Sequence, residues 1–488
     1  MNEKFQISNL KSQILRATAL GWHWILVFGF WCLLAAGCAV GPNYQRPPVK
    51  APPAFRGEAS AATNSLGDLP WWQVFHDDNL QTLVRLALTN NYDVRIAATR
   101  VEQARAAVAE ARAQFYPQVD YDGTVARGHN VAGTAPSPTA GHGTISAGYA
   151  TASWEIDLWG KIRRLTESAR AQYFASEEAR RDVAISLVSQ VAQNYFQLLA
   201  LDRELAIARE STNSYAESLK IFNEQLQGGV ASKLETSAAE ALMDASAATI
   251  PQLEGQIALQ ENQLSLLLGH NPDVIVRDHA SLDQQMPPVV PAGLPSALLE
   301  RRPDIREAED QLRSANAQVG VAKANFLPQL DLTGLFGAVS PGVAVFTGGG
   351  EAAWGVAAGL TGPLFHGGAL RAQYAQARAT RDQYALQYQS IVLTAFQEIS
   401  NALITREKLA AAREQQARAV DAYREAVKVS MERFRLGNAS YYEVLQEQQL
   451  LFPAENTLVQ YQVNQLVAVV QLYLALGGGW DPGTTANR

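Results

Sequence analysis

The chain is poor in cysteine, in surplus basic charge and in long apolar runs, and each shortage excludes something. Its two cysteines, Cys32 and Cys38, both fall within the first 38 residues. No disulfide can therefore brace the body of the protein. Forty basic residues against 47 acidic ones leave a net charge of −7. There is no basic surplus to neutralise phosphates, so nucleic acid is not an expected partner. Past Cys38 no apolar run reaches the roughly 20 residues of a membrane-spanning helix, so any bilayer crossing there must use strands. The seven histidines are scattered, and none has His-x-x-x-His spacing. No P-loop, dinucleotide fingerprint or Gly-x-Ser-x-Gly elbow is present either, which argues against an enzyme and against a resident metal or cofactor. Gly348-Gly-Gly350 falls in a predicted surface hairpin without phosphate-loop context, and Arg302 with Asp304 reads as a structural ion pair or cap.

What is there begins with a leader. Lys4, Lys11 and Arg16 precede an apolar stretch from about Ala19 to Ala36 that closes on Leu34-Ala-Ala-Gly-Cys38. Residues 1–37 read as a secretory signal peptide. A cysteine directly after Ala-Gly resembles the bacterial lipoprotein box, in which the thiol is acylated and the chain is cut just before it. Leucine stands one position earlier than is usual, at Leu34. Ala39, where aspartate would resemble an inner-membrane retention signal, favours the outer membrane. The expected modification is a diacylglyceryl and N-acyl lipid on Cys38, which anchors firmly because each buried methylene contributes about 0.8 kcal/mol. A plain transmembrane anchor with an incidental cysteine is the other reading of the same run. Loss of Glu3, Lys4, Lys11 and Arg16 moves the net charge from −7 to −9.

The body says nearly everything twice. Phe115-Tyr-Pro-Gln-Val-Asp120 recurs as Phe326-Leu-Pro-Gln-Leu-Asp331, 211 residues on, and Gly229-Val-Ala-Ser232 recurs as Gly437-Asn-Ala-Ser440, 208 residues on. This is a tandem duplication, and repeats decide architecture first. The divisions are a lipidated, Pro-rich tether at 38–70, repeat 1 at 71–269, a linker at 270–294, repeat 2 at 295–477 and a tail at 478–488. Helical spacing runs from Asp77 to Gln114 and from about Pro295 to Asn325, stopped by Pro117 and Pro328. The period then changes to two. Val119, Tyr121 and Val125 alternate with Gln118, Asp120, Asp122 and Thr124, and Leu330, Leu332 and Phe336 alternate with Gln329, Asp331 and Thr333. Return strands, with Trp154 and Ile156 or Trp354, Val356 and Leu360 on one face, span about Thr144–Asp157 and Ala352–Pro363. Each hairpin leads into a very long helix, about Gly160–Gln227 and Gly368–Leu436, then a short turn and a shorter helix, Lys233–Leu268 and Tyr441–Leu476. The long ones would reach roughly 100 Å. Pro453 in the last helix has no partner at Ala245, and a kink there is expected.

The fold class expected is an α+β membrane protein whose four strands per chain cannot close a barrel alone. Open edges are not tolerated in lipid, so copies must pool their strands. A trimer gives twelve strands and near-sixfold symmetry; a dimer gives eight, too narrow to continue into a wide helical tube. A soluble antiparallel bundle would leave the amphipathic hairpins without a core to cover.

These residues are similar to the outer-membrane efflux channels, the TolC/OprM/NodT-like outer membrane factors of Gram-negative bacteria. Gly37-Cys-Ala-Val-Gly-Pro-Asn-Tyr44, Trp71-Trp72…Phe75, Ser153-Trp-Glu-Ile-Asp-Leu-Trp-Gly160, Arg301-Arg-Pro-Asp-Ile-Arg306 and Leu476-Gly-Gly-Gly-Trp480 carry the likeness, from about Gly37 to Trp480. The resemblance implies a homotrimeric outer-membrane β-barrel continued by a periplasmic α-barrel. It also implies docking to a periplasmic adaptor and an inner-membrane pump, usually of the RND type, and export of small toxic compounds. It places the adaptor contact at the turns holding Gly228, Gly229 and Ser232 and holding Gly437, Asn438 and Ser440; these glycines also read simply as helix C-caps. It places pore-side residues six and nine positions after Gly437. Glu443 fills the first, while Gln446 stands where the second carboxylate is expected. A threefold ring of Glu443 would be a negative collar; a solvated surface glutamate is the plainer reading. A type I protein-secretion channel of the same family, or a lipid-anchored periplasmic coiled coil without a pore, are the alternatives.

Overall fold

The computed structural model describes residues 39–57, 69–74, 77–129, 142–277, 281–285, 298–341 and 351–478. Cys38, the leader, Phe75, part of the linker, both hairpin tips and Trp480 lie outside them. In chain order the elements are α1 (Trp71–Val74), α2 (Asp78–Asn90), α3 (Tyr92–Ala113), β1 (Gln118–His129), β2 (His142–Ile156), α4 (Lys161–Gln227), α5 (Lys233–Leu268), α6 (Leu298–Arg301), α7 (Pro303–Ala324), β3 (Gln329–Pro341), β4 (Glu351–Thr361), α8 (Ala369–Arg435) and α9 (Tyr441–Ala475). They form two compact units, one made of Met1–Arg46, Glu102–Phe174 and Glu309–Leu386, the other of Pro47–Val101, Ala175–Ala308 and Gln387–Arg488.

The first unit holds the sheet. Its strands pair antiparallel in the order β1-β2-β3-β4, so the two hairpins join through β2 and β3. Directly opposed residues of an antiparallel pair share a face. The registers Tyr121↔Ala150, Trp154↔Leu332, Gly334↔Val356 and Phe336↔Trp354 therefore put the apolar residues of all four strands on one side. Asp120↔Thr151, Ser153↔Thr333 and Glu155↔Asp331 put the polar ones on the other. The apolar side is bare within one chain: Tyr121 is 93% exposed and Trp354 77%. At 11 to 15 residues each strand is long enough to cross a bilayer at a tilt. The outer edges of β1 and β4 carry no partner strand among the described residues.

Residues 39–46 are not the free tether that their composition suggests. Val40 N donates to Trp159 O at 2.9 Å and Arg164 Nη2 to Asn43 Oδ1 at 2.8 Å. Asn316 Nδ2 donates to Pro42 O at 2.9 Å, and Arg46 pairs with Glu309 at 2.6 Å. Gly41 passes so close to Gly320 that a Cβ on it would lie 2.5 Å from the Gly320 Cα. Proline sets an extended course here, but the strap is sewn to the starts of α4 and the body of α7.

In the second unit each repeat breaks its first helix where the sequence pattern runs straight through. Asn91 ends α2 and caps α3, its Oδ1 accepting from Asp93 N at 2.8 Å. Pro303 opens α7 at the first-turn position where a missing N–H costs nothing, so the helix does not run on from about Pro295. Asn91 and Arg302 are equivalent in the repeats, and both reach the same place. Asn91 Nδ2 donates to Leu267 O at 2.9 Å, and Arg302 Nη1 to Ala475 O at 2.9 Å. Beside them Gly269 and Gly477 end the shorter helices at φ 76° and 71°. Leu187, Val191, Tyr195, Leu198 and Leu199 are buried in the main core as their spacing requires. Each such side chain contributes roughly 1.5–3 kcal/mol. In α2, Leu80, Leu83, Val84 and Ala87 are buried at helical spacing, and Leu86 is exposed. Pro453 has a companion in Pro251, six residues beyond Ala245, and α5 and α9 each run unbroken through their proline.

Candidate functional site

The turn between α4 and α5 and the turn between α8 and α9 are built alike. Gly229 and Gly437 take φ of 67° and 74°, the left-handed conformation that closes a helix and lets the chain reverse. Neither has any atom within 4 Å of a would-be Cβ, so conformation and not crowding requires glycine there. Gly228 N donates to Glu224 O at 3.1 Å and Asn438 N to Arg433 O at 2.9 Å, satisfying the last helical carbonyls. Ser232 and Ser440 are the N-caps of the helices that follow.

The equivalent carboxylates then part company. Glu235 completes a capping box with Ser232, accepting from Ser232 N at 2.6 Å. Glu443, its counterpart 208 residues on, turns away. It accepts from Arg433 Nη1 at 2.9 Å, and the Ser440 side chain caps nothing. Arg433 stands where repeat 1 has Gln225, so only repeat 2 has a cation at that position. Both partners of this ion pair are about half exposed, a setting where such pairs contribute about 1 kcal/mol or less. Gln446, one turn on, is exposed. Glu443 thus lies against the turn it follows, and Gln446 does not join it.

Sequence reasoning missed the hub beside these turns. Tyr441 is buried, its ring edge-on to Phe222 at 5.3 Å and to Phe434 at 4.8 Å, and its hydroxyl lies 2.9 Å from Ser218 Oγ. Gln448 donates to Ser214 Oγ at 2.8 Å. Their counterparts in repeat 1 are Lys233 and Glu240, so these links join repeat 1 serines and Phe222 to residue types that only repeat 2 has at those two positions. A mismatch between otherwise matching repeats was the available signal.

A second cluster in the same unit surrounds the Arg302 break. Arg302 pairs with Asp304 and with Glu398, each at 2.7 Å. Glu178 accepts from Arg181 and pairs with Arg306 at 3.2 Å. Glu307 sits among these acids. Burial, then the charges of Asp182, Asp304 and Glu178, push its carboxyl up to about 7. Asp182 is raised by burial and by Asp304, against the pull of Arg302. The expected Arg302–Asp304 pair is present, inside a network that the motif alone did not reveal.

A one-sided apolar sheet with two edges unpaired among the described residues, continuous with helices of 67 residues, defines a membrane-channel subunit whose strands finish a barrel only with further copies. No helix among the described residues is long and apolar enough to cross a membrane. The outer membrane efflux protein family matches residues 83–270 and 294–478, and the chain belongs to that family. It is 34% identical over 454 residues to the probable efflux pump outer membrane protein TtgC of Pseudomonas putida, covering 92% of this chain and 94% of the relative. It is 32% identical to the cation efflux system protein CusC of Escherichia coli O6:H1, covering 92% and 97%. A crystal structure of CusC superposes with a TM-score of 0.81 at 30% identity over 91% of this chain and all of that one. The open-state MtrE outer membrane channel of Neisseria gonorrhoeae superposes at 0.82 with 28% identity, covering 91% and 98%. The fold is that of the trimeric outer-membrane channels: two tandem repeats, long helical hairpins and four strands per chain toward a shared barrel. The protein is an outer-membrane channel of a tripartite efflux system, and its family is one of transport proteins.

Proposed function

We propose that three copies of this chain assemble into a twelve-stranded barrel anchored by lipid on Cys38, and that it conducts small toxic compounds handed over by a periplasmic adaptor and an RND-type inner-membrane pump. The observation that carries this reading is the pair of bare strand edges on a sheet with a lipid-compatible face. The lipid finds support in the strap. Ala39, the first described residue, packs against Gly160 just after β2, so the chain emerges beside the sheet directly after the candidate anchor. Relatives of nearly equal identity are named for toluene efflux and for cation efflux, which supports a cargo chosen upstream of the channel.

The turns at Gly228, Gly229 and Ser232 and at Gly437, Asn438 and Ser440 are the adaptor-docking tips in this reading. Glu443 forms a ring just inside them, with Gln446 the neutral position one turn away. Gly437→Pro removes an N–H and forbids the positive φ. The expected outcome is loss of drug or solvent resistance in a deletion strain, with heat-stable oligomers retained; unchanged resistance counts against the tip assignment. Labelled palmitate should enter the wild type and not Cys38→Ser, and continued labelling of the variant would refute the anchor.

A further inference from the structure

A cavity of about 660 Å³ opens in the first unit, at the junction between sheet and helices. Phe115, Tyr116, Ala171 and Phe174 give it an apolar wall, and four arginines reach it. Two of these are neutralised. Arg163 pairs with Asp157 at 3.1 Å, and Arg313 with Glu309 at 2.7 Å and Asp310 at 2.9 Å. Glu167, also on the wall, is taken by Arg164 at 2.7 Å. Arg112 and Arg170 have no hydrogen-bond or acidic partner among the described residues. The end of α3 favours a cation at Arg112 through its dipole, but supplies no counter-ion. Thr166 lines the same cavity at 7% exposure, and its Oγ1 is buried without any hydrogen-bond partner. A buried hydroxyl left unsatisfied costs about 1–3 kcal/mol, so it marks a place where a polar group belongs.

The level of the cavity on the chain identifies the environment. Phe115 and Tyr116 directly precede β1, and Arg163 to Phe174 lie in the first turns of α4, directly after β2. At the same feet Trp154 Nε1 donates to Phe115 O at 2.9 Å and Trp159 Nε1 to Pro328 O at 2.7 Å. Aromatic groups with a satisfied polar end mark the boundary between hydrocarbon and headgroups. The second repeat supplies an internal comparison. Lys323, Phe326, Arg371 and Arg378 stand where repeat 1 has Arg112, Phe115, Arg163 and Arg170, but Tyr374 replaces Thr166. The Tyr374 ring lies edge-on to Phe326 at 6.2 Å, a contact that threonine at the matching position cannot make.

We propose that the repeat 1 cavity holds one anionic glycerophospholipid of the surrounding leaflet, its phosphate between Arg112 and Arg170 within reach of the Thr166 hydroxyl and an acyl chain along Phe115, Tyr116 and Phe174. A free phosphate would leave the apolar wall wet. The acyl chains of Cys38 would fill the wall but leave both arginines without an anion. The site does not depend on the cargo or on the pump, and its readout is lipid retention, not efflux.

The test is native mass spectrometry of the full-length protein in detergent, exchanged with phosphatidylglycerol or with phosphatidylcholine. The wild type should retain one phosphatidylglycerol per protomer in preference to phosphatidylcholine. Each arginine is expected to contribute about fivefold to that preference. Arg112→Gln with Arg170→Gln should abolish the preference, and Thr166→Tyr should abolish retention itself by putting a ring into the cavity that Thr166 lines. Cys38→Ser should change neither. Equal retention of the two lipids by the wild type overturns the proposal, as does a preference that survives the double arginine change or retention that survives Thr166→Tyr. If Cys38→Ser instead gains a lipid that the wild type does not hold, the protein's own acyl chains are the occupant and the proposal fails.

Discussion

Glu235 and Glu443 occupy one position in two repeats and satisfy different partners. The choice is made by a third residue ten positions earlier, Gln225 or Arg433. A capping box holds its carboxylate to the backbone at the helix start, whereas a half-exposed ion pair can be exchanged for another cation at little cost. Glu443 is therefore the carboxylate able to meet passing ions if the turn lies on the pore. Glu443→Ala should lower cation preference in planar-bilayer recordings while leaving thermal stability within about 1 kcal/mol of the wild type. Identical reversal potentials in a salt gradient would reduce Glu443 to a surface charge. The motif spacing pointed to Glu443. It gave no sign of Arg433, because a cation three residues before a turn becomes a partner only once the chain has reversed.

At the scale of elements, the two helix breaks show what a periodic pattern hides. Leucine and alanine spacing continues across Asn91, yet the backbone there is extended, with ψ of 133°, because its side chain caps the next helix and locks onto α5. Arg302 and Pro303 repeat the device with different chemistry. Gly269 seats against this break: a Cβ on it would lie 2.7 Å from Asn90 O, in a conformation that L residues avoid. Gly269→Ala should destabilise the fold by at least about 2 kcal/mol. Gly229→Ala, with open space around it, should lose only the conformational part, about 1 kcal/mol. Denaturant unfolding of the two variants side by side tests the difference; equal losses would mean that the contact with α2 contributes nothing.

At the scale of the molecule, the sheet is the element that cannot exist alone. One face is apolar and exposed along all four strands, and among the described residues neither edge has a partner strand. Phe336 lies mid-strand on that face, opposite Trp354. Phe336→Arg should cost roughly 2–4 kcal/mol, since that is the penalty for arginine near the middle of a bilayer. Thr333→Arg, on the polar face, should be tolerated. Loss of heat-stable oligomers on gels in the first variant and their retention in the second is the expected pattern. If both variants assemble alike, the apolar face does not meet lipid.

The duplication, the four strands, the alternating faces, the long helices and the two glycine turns were all written in the sequence. Each follows from local period, from proline and glycine, or from direct self-comparison. Tertiary structure alone decided that residues 39–46 are strapped to α4 and α7, that Asn91 and Arg302 reach the same carbonyl position in their repeats, and that Glu443 meets Arg433. It alone decided that Thr166 lines a cavity, while Tyr374, at the matching position, packs edge-on to Phe326. These depend on side chains brought together from far along the chain, and a difference of one residue type between repeats acquires meaning only when its neighbours in space are known.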